Sequence, residues 1–248
     1  MSFGIRWAAS LMVIGAQLLS RPALPVYSQA QSPYTILLPV VMRSSPLSNP
    51  VHSGIATYYD ATGGGACSFS ASPGDLNVAA MNAPDYSNSA VCGEYVRVSG
   101  PKGTVVVRIV DLCPGCSKGQ LDLSVQAFSQ IADLAKGVVP ITWQVISPDL
   151  AGPIAYHFKD GSNQWWTAVQ VRNHRNPIAR FEYRGPGGAW IEVPRVSYNY
   201  FVQENPGMGP GPYTFRVTDS YGNILVDSGI PLKADGTVNG GGQFPPGP

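Results

Sequence analysis

Hydrophobic and polar positions recur at two periods along this chain. Glu94-Tyr95-Val96-Arg97-Val98 and Thr104-Val105-Val106-Val107-Arg108-Ile109-Val110 are β-branched runs, and Gly100-Pro101-Lys102-Gly103 between them is a turn signal. Val138 to Ile146 is a third run of this kind. One segment between them switches to helical spacing. Ser124 suits an N-cap, Val125, Phe128, Ile131, Ala132 and Ala135 recur on one face, and Gly137 supplies the stop. Pro148-Asp149-Leu150-Ala151-Gly152-Pro153 reads as a short hinge, and the pattern beyond it is β only. Strands are predicted at Trp166–Arg172, Ile178–Tyr183, Ala189–Val193, Tyr213–Thr218 and Ile224–Asp227, separated by Gly/Pro/Asn turns. Short strands over roughly ninety residues predict a β-sandwich. The tail from Gly236 is Gly/Pro-rich and is predicted to be loose.

Composition narrows the partner. The 248 residues fit two modest domains or one large β domain. Charged residues make up only 12%, about half the usual share of roughly 25%. Arg6 and Arg21 are the only charges in the first thirty positions, and the rest of the chain carries 14 basic and 15 acidic residues. With no Lys/Arg cluster, nucleic acid is excluded as the expected partner. A neutral polymer, offering hydroxyls and apolar ring faces, fits this balance better.

Arg6 precedes an apolar run from Trp7 to Ala16, too short to span a bilayer core of about 30 Å. Ser28-Gln29-Ala30 is an acceptable small-x-small cleavage site, so residues 1–30 read as a signal peptide and the protein as secreted and extracellular, with no membrane partner after processing. Residues 31–50 read as a Ser/Pro-rich linker, and they include a second short apolar stretch, Tyr34 to Val41, with no assigned role. Folded sequence starts near Gly54. Outside the cytosol an even cysteine count suggests disulfides, most simply Cys67–Cys92 and Cys113–Cys116; a redox site or half a zinc site at Cys113-Pro114-Gly115-Cys116 is the alternative. No metal or cofactor is expected.

Three segments of the first module can carry chemistry: Gly54-Ile55-Ala56-Thr57-Tyr58-Tyr59-Asp60 with the Gly63-Gly64-Gly65-Ala66-Cys67 turn, Val110-Asp111-Leu112-Cys113, and Leu121-Asp122-Leu123-Ser124. A disulfide-clipped loop between Asp111 and Asp122 could bring both carboxylates to one cleft wall. Such carboxylates can hydrogen-bond sugar hydroxyls in pairs or protonate a glycosidic oxygen. Without a sugar, Asp111 would bond its own loop at the strand end and Asp122 would cap backbone amides near the helix start.

At these residues the chain resembles the expansins, especially the bacterial ones. Gly54 to Thr57, Asp111, Leu121 to Ser124 with Ala127-Phe128, Trp165-Trp166, Val169 to His174 and Tyr198-Asn199 stand in family order, so the resemblance covers nearly all of residues 52–235. It implies a six-stranded double-psi β-barrel (residues 51–147) followed by an immunoglobulin-like, expansin-type carbohydrate-binding β-sandwich (148–237), with residues 238–248 as a tail. It also implies wall loosening without hydrolysis, with Thr57, Asp111 and Asp122 as cleft residues and Trp165, Trp166 and Tyr198 as the carbohydrate-binding platform. The implied partner is insoluble wall polysaccharide, with cellulose, xyloglucan-containing wall and peptidoglycan as candidates, bound by a monomer.

Where bacterial expansins usually have an aromatic two places after the first Asp, this chain has Cys113, and its Cys-Pro-Gly-Cys loop looks more like the loosenins and barwin-like proteins. Tyr58 or Tyr59 could replace that aromatic. Two other readings stand beside loosening. A barrel endoglucanase or lytic transglycosylase would use Asp122 as acid, with Asp60 the only nearby base for hydrolysis. A barwin-like inhibitor would bind a protein. Adjacent tryptophans in a regular strand face opposite sides, so the platform requires Trp165 to sit at the strand's start or at a bulge. Trp190 reads as core, and Arg172 and His174 as structural or rim residues.

Overall fold

A computed structural model describes residues 49–248. The expected signal peptide and most of the expected linker, including Tyr34 to Val41, lie outside them.

Six strands close a barrel in the order β1-β5-β2-β4-β3-β6: β1 His52–Tyr59, β2 Val78–Asn82, β3 Tyr95–Ser99, β4 Thr104–Cys113, β5 Leu121–Ser124 and β6 Val139–Ile146. The β1/β5 and β2/β4 pairs are parallel; the other pairs are antiparallel. Strands β3 and β6 show the in/out alternation read from the sequence. The short β2, Val-Ala-Ala-Met-Asn, is buried at every position, as expected of a strand between neighbours and covered on both faces.

Helix α1, Ala83–Tyr86, starts at Asn82, whose side chain accepts the Asp85 N–H, with Pro84 in the first turn. Helix α2 runs Val125–Ile131 from the Ser124 N-cap, shorter than its apolar spacing predicts. Ala132 is already extended, and the Ile131 carbonyl accepts the Lys102 N–H instead of continuing the helix. A 3-10 turn, Leu134–Lys136, follows it.

Beyond the hinge two four-stranded antiparallel sheets form the sandwich. One has the order β10-β9-β12-β13, the other β11-β8-β7-β14, where β7 is Ala155–Phe158, β8 Thr167–Arg172, β9 Ile178–Arg184, β10 Trp190–Glu192, β11 Phe201–Gln203, β12 Tyr213–Asp219, β13 Ile224–Ile230 and β14 Gly236–Asn239. Tyr156, Phe158, Phe181, Phe201, Phe215 and Phe244 fill the space between them.

Two expectations change. The tail is ordered rather than loose: β14 pairs with β7, Phe244 is only 1% exposed, Asn176 Nδ2 donates to the Pro245 carbonyl at 2.9 Å, and the Gly247 N–H donates to Ser147 Oγ at 2.9 Å. Trp190 is not a core residue. It is part-exposed, with the Arg216 guanidinium 4.5 Å over its ring.

Candidate functional site

The barrel register brings the cleft residues together. Thr57 on β1 stands opposite Asp122 on β5. Ala80 on β2 pairs with Asp122 on one side and Asp111 on the other. Strands lie about 4.8 Å apart, so the two carboxylate-bearing positions are two spacings apart on one wall.

Thr57 Oγ1 donates to Asp122 Oδ1 at 2.6 Å, and Gln120 Nε2 reaches Thr57 Oγ1 at 3.4 Å. Burial pushes the Asp122 carboxyl up from its ordinary value; the Thr57 bond opposes this, and the Asp111 charge adds to it. Asp111 Oδ1 accepts the N–H groups of Ala66 at 2.7 Å and Leu112 at 2.8 Å. A Cβ on Gly65 would lie 2.3 Å from Asp111 Cγ, so only glycine lets the loop rest on this carboxylate. Asp111 thus holds its loop with one oxygen, the bonding anticipated without a sugar, while Asp122 caps nothing. The helix cap is Ser124, whose Oγ accepts the Ala127 N–H.

Tyr59 falls two residues after Thr57, on the same strand face. Its hydroxyl is buried and has no hydrogen-bond partner. Burial, then the charges of Asp111 and Asp122, raise its pKa. Tyr58 points the other way, 4.8 Å from Phe128, with its hydroxyl donating to the Leu134 carbonyl at 3.3 Å. Asp60 follows the end of β1 and is exposed.

The supports are covalent and steric. Disulfides join Cys67 to Cys92 and Cys113 to Cys116. Gly54 and Gly119 bring β1 and the loop before β5 together. A Cβ on Gly54 would lie 2.2 Å from the Gly119 oxygen, which also accepts Trp143 Nε1 at 2.8 Å. Asp85 Oδ2 receives the Gly119 N–H at 3.1 Å and Asn82 Nδ2 at 2.9 Å. Gln120, Asp85 and Tyr86 escaped the sequence reading. The helix-start signal Asn82-Ala83-Pro84-Asp85 could have pointed to Asp85; Gln120 and Tyr86 carry no such local signal.

The second cluster lies on the sandwich. Asn163 Oδ1 accepts the N–H groups of Trp165 at 2.9 Å and Trp166 at 3.2 Å, and the Asn163 N–H returns to the Trp166 carbonyl at 2.8 Å. Both tryptophans therefore sit in a tight turn ahead of β8, where strand alternation does not apply. Trp165 is 66% exposed. Trp166 is half-buried against Ala168, Tyr200 and Val202. Tyr198 is 36% exposed, its ring 5.9 Å from that of Tyr200.

One loop ties the clusters together. Ala66 bonds Asp111, while the Cys67 carbonyl accepts Gln170 Nε2 at 2.8 Å and Asn199 Nδ2 at 3.2 Å. Tyr86, whose pKa burial pushes up to about 12 with help from Asp111, bonds the carbonyl of Ser197, next to Tyr198. The Tyr198 end of the aromatic cluster therefore abuts the Asp111 end of the cleft. Among the described residues no group of three or more His, Cys, Asp or Glu side chains is arranged to hold a metal.

A family model described as "Lytic transglycolase" matches residues 51–143. Expansin-YoaJ of Bacillus subtilis (strain 168) is 36% identical over 213 residues, covering 82% of this chain and 90% of that protein. The papain inhibitor of Streptomyces mobaraensis is 36% identical over 101 residues, covering 38% of this chain and 71% of the inhibitor. Among solved structures, the expansin of Clavibacter michiganensis is 34% identical with a TM-score of 0.73, covering 79% of this chain and 99% of that one; a mutant of it has been solved in complex with cellohexaose.

Proposed function

This chain belongs to the expansin family, and from that premise we propose that it is a secreted protein that holds cell-wall glucan on Trp165, Trp166 and Tyr198 and loosens it at the Thr57–Asp111–Asp122 cleft without cutting it. The observation that carries this reading is the turn at Asn163, which presents Trp165 to solvent beside the half-buried Trp166. The cellohexaose complex of the Clavibacter relative supports a linear β-glucan as the polymer. Flat aromatic faces stack on the C–H faces of glucose rings, and a row of them fixes a chain without charge.

In the cleft, Thr57 and Asp122 form one donor–acceptor unit, and Gln120 Nε2 reaches Thr57 Oγ1. A glucan chain entering there exchanges hydrogen bonds with its neighbours for bonds to these groups. Repeated exchange lets chains slip with no covalent step. Asp111 contributes by keeping the 63–67 loop in place. No helix among the described residues is long and apolar enough to cross a membrane.

A second reading, glycan cleavage, is favoured by the description of the family model over residues 51–143 and by the raised Asp122 carboxyl, a property of a general acid. Against hydrolysis, the one nearby candidate base, Asp60, follows the end of β1 and is exposed.

One experiment separates them. Cellulose pull-down is measured beside release of reducing ends and soluble muropeptides. Trp165→Ala should weaken pull-down five- to thirtyfold, about 1–2 kcal/mol, with the melting temperature unchanged. Wild type and Asp122→Asn should both release nothing. Sustained release that disappears in Asp122→Asn would establish cleavage; pull-down indifferent to Trp165, Trp166 and Tyr198 would remove the platform and favour a protein partner.

A further inference from the structure

Between the barrel and the sandwich lies a cavity of about 190 Å³, lined by Phe69, Gly93, Tyr95, Arg108, Arg172 and His174. It contains none of the cleft or platform residues. Two guanidinium groups share it, with their central carbons 4.9 Å (Arg108) and 5.9 Å (Arg172) from the Phe69 ring centre. Among the described residues neither arginine forms an ion pair. Arg172 spends its Nε on Gln170 Oε1 at 2.5 Å, whereas Arg108 Nε is buried with no partner at all.

The surroundings do not neutralise this charge. Glu94, on the same segment as Gly93 and Tyr95, acts on Arg195 rather than on either of these arginines. Asp235 is close enough to act on Arg172, but it is exposed and makes no ion pair with it. Asp75 acts on Tyr95. Burial holds the Arg172 guanidinium below its usual value; Tyr200 opposes this, and the Arg108 charge adds to it. Two like charges in a partly dry cavity repel unless an anion lies between them.

The walls are fixed in place. Gly93 has φ +83°, and a Cβ there would come 2.6 Å from His174 Nε2. His174 is buried, its pKa brought down by that burial to about 4, and its Nδ1 lies 2.8 Å from the Asn176 carbonyl. Asn173 clasps the hinge, donating from Nδ2 to the carbonyls of Ala151 at 3.0 Å and Pro153 at 2.8 Å.

We propose that this cavity is a binding site for one carboxylate-bearing sugar unit, with the carboxylate held by Arg108 and Arg172 and Tyr95 lining the space left for the ring. Guanidinium forks match carboxylates in pairs. The volume lies below the 300 Å³ or so of an ordinary ligand pocket, so it admits a single ring or chain end rather than a polymer run. The protein would thereby sense acidic matrix sugar separately from the neutral glucan it holds elsewhere.

The test titrates the full chain with methyl glucuronoside, methyl glucoside and inorganic phosphate, followed by amide NMR. The glucuronoside should saturate shifts at Gly93, Tyr95 and Asn173, with an affinity that falls as salt rises. The glucoside should leave them unmoved. Arg108→Gln should weaken the glucuronoside at least tenfold with melting temperature and cellulose pull-down unchanged. Should that variant fold poorly, Arg108→Lys, which keeps the charge but loses the fork, should show the same loss. Trp165→Ala should bind glucuronoside normally, so failure of the glucan reading would not carry over. Equal binding of the glucoside, tighter binding of phosphate than of the glucuronoside, or glucuronoside affinity unchanged in a folded Arg108 variant each overturns the proposal.

Discussion

A hydroxyl that donates to a carboxylate favours its charged form, so Thr57 and the burial of Asp122 pull in opposite directions. Removing the donor leaves burial and the Asp111 charge unopposed. In Thr57→Val the Asp122 carboxyl should titrate at higher pH than in wild type, read from its carboxyl carbon by NMR; an unchanged or lower midpoint would contradict this balance. The sign for stability follows. A carboxyl whose folded pKa is raised favours the fold while it is protonated, below the ordinary carboxylate range, and that contribution is lost as pH rises through the folded value. Thr57→Val should widen this acid-side window. Thr57, Asp111 and Asp122 were picked out by their resemblance to the expansins, and the barrel register brings them to one wall. The division of work between them was not legible in the sequence, because it depends on which backbone N–H groups reach Asp111 and which hydroxyl reaches Asp122.

At the scale of elements, β8 departs from the alternation of a half-exposed strand. Thr167 to Val171 are all buried, including Gln170, because the barrel loop at Cys67 covers the sheet's outer face there. Ahead of it, the platform turn leans on the loop at Gly207. That residue has φ +74°, and a Cβ there would lie 2.3 Å from the Gln164 oxygen and 2.5 Å from the Trp165 carbonyl carbon. Both neighbours are backbone and cannot swing aside. Gly207→Ala should cost about 1–2 kcal/mol from the left-handed backbone alone, plus whatever the turn must yield. The melting temperature should fall, and cellulose pull-down, measured well below it, should fall too as the Trp165 turn shifts. Retained pull-down would mean that the turn holds its shape without this brace. Periodicity predicted α2 correctly in place and type, but carried it to Ala135. A single long-range bond, from the Lys102 N–H to the Ile131 carbonyl, ends it earlier.

On the scale of the whole molecule, the buried Glu94 carboxyl and the Arg195 guanidinium lie where barrel meets sandwich. Burial pushes Glu94 up to about 8 and Arg195 down to about 10, while Arg195 Nη1 donates to the Ser89 carbonyl at 3.0 Å across the junction. Glu94, raised, favours the fold fully below its unfolded value near 4.5 and loses that contribution as pH rises to 8. His174, lowered to about 4, favours the fold fully above 6.5 and loses that contribution as pH falls towards 4. The two oppose each other between pH 4.5 and 6.5, and from there to pH 8 only Glu94 acts. Between pH 6.5 and 8 wild type should lose up to about 2 kcal/mol that Glu94→Gln retains, measured by denaturant unfolding at both pH values; parallel pH profiles would refute the assignment. By itself the sequence determined the β class and the two-module order, because turn residues and strand periodicity are local signals; it offered Cys67–Cys92 and Cys113–Cys116 only as the simplest pairing, which the fold supplies. Only the tertiary structure decided that the Gly/Pro tail begins in a paired strand and buries Phe244 beyond it, that Tyr59 and not Tyr58 shares the face of Thr57, and that Trp165 and Trp166 share a turn. Each of these depends on which distant backbone a segment meets, and local spacing carries no record of that.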